Sequence, residues 1–242
     1  MVNQQIASLK TTSEYLKNQK VLSDWKTVQK QVVDGNLDSV KRFIGEWKEI
    51  GKLEQLKEKV TSPDLPQREY APEFEYTLIH ICAKCNRPEI LQELLACGVA
   101  FNVNQKDAYG RTPLAEACVQ GNEEIVRILL QAGANVNIHN KYQNTPLIAA
   151  AYNNHQNIVT MLLEHKADIM KQNYEQKTCL KMAEDMQHVQ LVDVLDFHMK
   201  KEIMWRNRNC LLKIALSREV PAPNNLFKGF SLDMMREIMK YA

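Results

Sequence analysis

No stretch of the 242-residue sequence approaches eighteen apolar residues, so a membrane-spanning helix is excluded. The N-terminus, Met1-Val2-Asn3-Gln4-Gln5-Ile6, has neither the basic start nor the apolar core of a secretory signal. The expected site of action is the cytoplasm, or a host cytosol if the chain is a microbial effector. An excess of either charge is also lacking. Lys plus Arg number 31 against 29 Asp plus Glu, and the net charge of +2 gives no electrostatic reason to expect nucleic acid or a membrane surface as partner. Only 8 glycines are present and none forms a phosphate-cradling loop, which argues against a nucleotide enzyme. Six cysteines are too sparse for a disulfide scaffold, and free thiols are expected. His80, His139, His155, His165, His188 and His198 are scattered, none beside a Cys, Ser or Asp in a nucleophile motif. The chain reads as a non-enzyme with no cofactor and no metal. Hydrophobic residues make up 45%, enough for a folded globular protein.

What is present is self-similarity. The segment Gly110-Arg111-Thr112-Pro113-Leu114 returns as Asn144-Thr145-Pro146-Leu147 and, degraded, as Lys177-Thr178-Cys179-Leu180, with the Thr positions 33 residues apart both times. Nine residues after each of the first two Thr comes a helix pattern, Gly121-Asn122-Glu123-Glu124-Ile125-Val126 and then Asn154-His155-Gln156-Asn157-Ile158-Val159. A third element, Gly133-Ala134-Asn135-Val136-Asn137, closes the unit before the next Thr-Pro.

These three sub-motifs at one period resemble the ankyrin-repeat family. The resemblance covers residues 22–198 and implies an all-α solenoid of hairpin–helix–helix units. Upstream, Thr77-Leu78-Ile79-His80-Ile81-Cys82 opens an earlier unit that aligns if the loop through Phe101-Asn102-Val103-Asn104 holds two extra residues. The family's His is kept there as His80, with the implied role of tying down its own hairpin, and its Pro is lost. A further start lies at Trp25, where Val32 to Ile44 matches the Gly-Asn helix pattern without a hairpin, as in a capping repeat. The spacing from this unit to the Thr77 unit is 51 rather than 33, which places about eighteen inserted residues within Gly45 to Glu75. Pro63, Pro66 and Pro72 forbid a helix after Val60.

Physical reasons follow for each residue type. Pro113 and Pro146 suit the first turn of a helix, and the preceding Thr either caps that helix or braces the hairpin. Gly98 and Gly133 sit where the chain must turn with positive φ; Lys166 takes that place in the fourth unit, so strain or a distorted turn is expected there, and a weaker last pair of units. Leu114, Ala117, Ile125, Val126, Leu129 and Leu130 recur as Leu147, Ala150, Ile158, Val159, Leu162 and Leu163, apolar rows that only stacking can bury. Ala117, Ala150 and Ala183 at one position allow close helix approach. In this frame Cys82 takes the buried position of Ala117 and Cys85 the exposed position of Gln120, so Cys82-x-x-Cys85 is packing rather than zinc or redox chemistry.

The resemblance implies a concave surface of hairpin tips and first helices that grips another protein. The tips supply Asp107, Tyr109 and Arg111, then Lys141, Tyr142 and Asn144, then Tyr174, Glu175 and Lys177. The first helices supply Glu116, Gln120, Tyr152 and Asn153. Tyr and Arg are enriched at binding hot spots, and the tip tyrosines form a ladder, with Tyr174 displaced by one position from Tyr109 and Tyr142.

At the ends, residues 1–21 are expected to form an N-terminal helical cap with Ile6, Leu9 and Leu16 inward, and residues 199–242 a C-terminal helical extension. Met204 to Ala215 reads as a helix, a loop with Pro221 and Pro223 follows, and Phe230 to Tyr241 is amphipathic, capped by Ser231. This tail loosely resembles the F-box-like elements that follow ankyrin arrays in some viral and bacterial proteins and dock onto ubiquitin-ligase subunits; the family's Leu-Pro start is Ser231-Leu232 here. The tail is therefore read as a cap on the last repeat, with a ubiquitin-ligase adaptor using residues 226–242 as the alternative. The chain stops while this helix is under way, as expected of a piece of a longer protein such as an effector acting in a host cell. The expected state is a monomer.

Overall fold

A computed structural model describes residues 27–49, 77–98 and 101–217, with side chains to residue 206. Among the described residues all regular structure is helical: α1 (27–34), α2 (Leu37–Glu49), α3 (Leu78–Cys85), α4 (Pro88–Ala96), α5 (Pro113–Gln120), α6 (Glu123–Gln131), α7 (Pro146–Tyr152), α8 (Gln156–Glu164), α9 (Cys179–Asp185) and α10 (Val189–Ser217). The chain divides into two compact units, Met1–Asp193 and Val194–Ala242. Trp25, the proposed N-terminal cap, the insertion beyond Glu49 and the F-box-like tail lie outside the described residues.

The first unit is a stack of helix pairs. First helices meet first helices, α3 on α5, α5 on α7 and α7 on α9, while second helices meet second helices, α2 on α4, α4 on α6 and α6 on α8. The rows that recur in the sequence are buried at Leu114 and Leu147, Ala117, Ala150 and Ala183, Ile125 and Ile158, Val126 and Val159, and Leu129 and Leu162, whereas in the last row Leu130 is buried and Leu163 only half-buried. Each large apolar side chain removed from water in this way contributes roughly 1.5–3 kcal/mol. The pair α1–α2 buries Val28, Val32, Val40, Ile44 and Trp47, which places it in the stack as the first unit although it lacks a Thr-Pro hairpin.

Each first helix begins at its threonine. The hydroxyls of Thr112, Thr145 and Thr178 accept the backbone N–H of Ala115, Ile148 and Lys181 at 3.2, 3.3 and 3.3 Å, so the threonine caps the helix. In the earliest hairpin unit the cap is shared with a side chain. His80 Nδ1 accepts the Thr77 N–H at 3.3 Å and lies 2.9 Å from its hydroxyl, which leaves Nε2 as the donor to the Arg111 carbonyl at 3.1 Å. His80 therefore ties down Thr77 at the start of its helix and reaches the next hairpin.

The turn from first to second helix is left-handed in all five units, at Gly35, Asn86, Gly121, Asn154 and Gln187, with φ between 51° and 79°. Immediately after it, in each of the last four units, one side chain reaches back to the preceding unit. Arg87 donates to the Val33 carbonyl at 2.7 Å, Asn122 to Ala83 at 2.7 Å, His155 to Val119 at 3.3 Å and His188 to Tyr152 at 3.0 Å. His155 and His188, scattered in a reading by motif, are thus one structural position repeated. Two of the turn glycines also make room for these side chains: a Cβ on Gly121 would stand 2.5 Å from His155 Cε1, and one on Gly35 would stand 2.9 Å from Arg87 Cζ.

The loop between α4 and α5 is sixteen residues, 97–112, against fourteen in 132–145 and 165–178, which accounts for the two extra residues around Phe101. After the second helix the chain turns at Gly98, Gly133 and Lys166, with φ of 89°, 81° and 62°. The Lys166 N–H bonds to the Leu163 carbonyl at 3.0 Å as that of Gly133 bonds to Leu130 at 3.1 Å. Of strain or distortion, the two outcomes expected there, the structure has the first: the path of the turn is kept, and an L side chain in this conformation costs roughly 1–2 kcal/mol. Lys166→Gly, after its greater loss of chain entropy, is expected to stabilise the protein by about 0.5–1 kcal/mol. Gly121→Ala combines backbone strain with displacement of His155 and is expected to destabilise by about 2 kcal/mol. Urea unfolding midpoints of the two variants, moving in opposite directions, check both values.

Candidate binding surface

The hairpins that join the units are built on a carboxylate or amide at period 33: Asp107, Asn140 and Asn173. Asp107 Oδ1 accepts the N–H of Tyr109 and Arg111 at 2.9 and 2.7 Å. Asn140 Oδ1 does the same for Tyr142 and Asn144 at 2.9 and 3.0 Å, and Asn173 Oδ1 for Glu175 and Lys177 at 2.9 and 3.0 Å. The tips are then joined to each other by backbone bonds. The Lys141 N–H donates to the Tyr109 carbonyl at 2.9 Å and the Tyr174 N–H to the Tyr142 carbonyl at 3.1 Å. At the far side of each loop a second ladder runs, with Asn104 Oδ1 accepting the Asn135 N–H at 2.7 Å and Asn137 Oδ1 the Asp168 N–H at 2.8 Å. The hairpin backbone is fixed before any partner arrives.

On this frame the residues singled out from the sequence fall into two groups. Tyr142, Tyr152 and Tyr174 are exposed at 61%, 45% and 66%, and Lys141 and Gln120 are exposed as well. Asn153 is half-buried and its amide donates to the Ala149 carbonyl at 2.9 Å; half-buried Asn144 accepts from the Asn173 amide at 3.0 Å. Lys177 bridges Glu175 at 2.8 Å and Asp185 at 3.0 Å. Those bonds, that of Glu175 first, hold the Lys177 pKa above its usual value, while the bond from Lys177 holds Asp185 below the usual carboxylate range.

Asp107 and Glu116 do not belong with the surface residues. Both are buried, and Arg111 lies between them, its Nε 2.8 Å from Asp107 Oδ2 and its Nη1 3.0 Å from Glu116 Oε2. The guanidinium also sits 5.1 Å from the centroid of the half-buried Tyr109 ring. Glu116 Oε1 accepts from the Gln120 amide at 3.2 Å, whereas Oε2 meets Arg111 as an ion pair without a hydrogen bond. The sister units hold Ile81, Ala149 and Met182 at this position, none of them exposed, and Glu116 is the most enclosed of the four. Asp107, Tyr109, Arg111 and Glu116 hold one hairpin against one helix, and the carboxylates are withdrawn from the contact set. Arg111→Ala leaves two buried carboxylates without their cation and is expected to lower stability by about 3 kcal/mol, with Glu116→Leu in the same chain restoring part of the loss. Chemical denaturation of the single and double variants measures both.

The described cysteines Cys82, Cys85, Cys97, Cys118 and Cys179 are free thiols; Cys210 lies outside the described side chains. Burial pushes the Cys82 and Cys118 thiols far up, and that of Cys179 up to about 12. Cys85 and Cys97 are half-buried. Among the described residues no three of His, Cys, Asp and Glu gather as a metal site. Alkylation at mildly alkaline pH, followed by peptide mapping, is expected to modify Cys85 and Cys97 in the native protein and Cys82, Cys118 and Cys179 only after denaturation.

Among the described residues no helix is long and apolar enough to cross a membrane. Residues 30–140 and 132–203 match a family model described as ankyrin repeats in three copies. Among curated proteins, "Protein fem-1 homolog A" of Bos taurus, of Rattus norvegicus and of Homo sapiens are each 44% identical to this chain over 55 residues. That alignment takes 23% of this chain and spans 8% of the length of each relative.

Proposed function

This chain belongs to the ankyrin-repeat family, and we propose that it acts as a non-enzymatic module that binds another protein through the face made of its hairpin tips and first helices. The observation that carries the proposal is the combination of exposed Tyr142, Tyr152 and Tyr174 with a hairpin backbone already fixed by tip-to-tip hydrogen bonds. Tyrosine offers a large contact area with few rotatable bonds, and a fixed backbone has little further order to lose on binding. Gln120, Lys141, Asn144, Asn153 and Lys177 complete the contact set, with Tyr109 and Arg111 shaping it from behind.

The repeats are taken as residues 22–198, with 1–21 and 199–242 as helical ends, and the cytoplasm as the site of action. Two finer readings rest on sequence alone. Residues 226–242 as a docking element would make the chain a ubiquitin-ligase adaptor, in which case deleting them abolishes capture of a cullin-associated subunit. As the repeat part of a longer microbial effector, the chain would meet its partner in a host cell.

The main reading is tested by replacing Tyr142, Tyr152 and Tyr174 together with Ala. Because all three are exposed, the thermal midpoint should stay within a few degrees of the parent, while partner capture in proximity labelling followed by mass spectrometry drops severalfold. Unchanged capture by the folded variant sinks the assignment of this face.

A further inference from the structure

Charge is unevenly distributed over the elements of the stack. The second helices α4, α6 and α8 carry five glutamates against one arginine. The hairpin segments 101–112, 134–145 and 167–178 carry five Lys and Arg against three acids, and those acids are already engaged. Asp107 is buried against Arg111, Asp168 accepts the Met170 N–H at 3.0 Å, and Glu175 is bridged to Lys177. Lys106, Lys141 and Lys171, one on each successive hairpin, are exposed, and among the described residues none has an acidic side chain as partner. The Lys106 ammonium reaches only the His139 carbonyl, at 3.1 Å. Tyr142 and Tyr174 stand beside these lysines on tips whose backbones are bonded to one another.

Resting on the reading of this face as the binding surface, we infer that the partner presents an acidic polypeptide segment, laid across the three hairpins so that its carboxylates meet Lys106, Lys141 and Lys171. An ammonium without a carboxylate partner has no ion pair to break on meeting one, and three on consecutive rigid hairpins favour a chain that carries several negative charges in succession. The second helices α4, α6 and α8 offer no comparable row of cations, which disfavours docking of the same segment there.

The test uses the full chain and two labelled peptides, one rich in Glu and one rich in Lys, titrated by fluorescence anisotropy. The Glu-rich peptide is expected to bind and the Lys-rich one not. K106Q/K141Q/K171Q should weaken the Glu-rich peptide by roughly tenfold or more, and Glu89→Gln with Glu164→Gln should leave it unweakened. Because all the replaced side chains are at the surface, the variants can be checked for an unchanged thermal midpoint. Failure of the Glu-rich peptide to bind, equal binding of both peptides, or unchanged binding by the triple lysine variant overturns the inference. Should the peptide be ignored while the triple tyrosine variant still loses partner capture, the acidic partner is wrong and the binding face stands; if neither responds, the face falls too.

Discussion

The stack depends on one recurring bond, from a side chain at the start of each second helix to a carbonyl at the end of the preceding first helix. Helices of seven to nine residues are too short to persist alone, and each exposes an apolar row that its own unit cannot cover. Arg87, Asn122, His155 and His188 fix how far one unit is rotated and shifted against the next, so that Leu129 meets its neighbours and not water. The left-handed turns at Gly35, Asn86, Gly121, Asn154 and Gln187 set the angle from which those side chains start. Burial of the leucine and isoleucine rows then supplies most of the stability, and the polar ladders determine which burial takes place.

Much of this was legible in the sequence because the period is enforced by chemistry that only a few residues can perform. A Thr-Pro pair, a turn glycine and an Asn-x-Asn each has a specific backbone task, and those tasks recur at 33 residues. The interlock was not legible because its position accepts Arg, Asn or His: any side chain with an N–H donor of sufficient reach will serve, so residue identity varies while geometry does not. The proposed binding face was harder still. Asp107 and Arg111 have the composition of a contact site, yet their backbone and side-chain bonds are internal. Glu116 is polar at a position its sister units fill with Ile81, Ala149 and Met182, and only the packed neighbours reveal that it is enclosed.

The two polar systems of the hairpins serve different ends. Asp107, Asn140 and Asn173 shape each tip from within, and the Lys141 and Tyr174 amides link tip to tip. The result is a row of loops with the rigidity of a small sheet edge, although the chain at those points has no strand. Side chains can vary on such a row without disturbing its path, which is how one architecture accommodates unrelated ligands.

The absence of a methyl group at Gly121 is a property of two units at once, since the vacated space is filled by the imidazole of His155, 34 residues further on. Gly35 and Arg87 share the same arrangement across a longer interval of chain. Genetic duplication or exchange of a single unit would part such couples, setting a bulky reaching group against a neighbour that has no vacancy for it. Arrays built on this junction therefore grow more safely by copying adjacent units together than by inserting one alone.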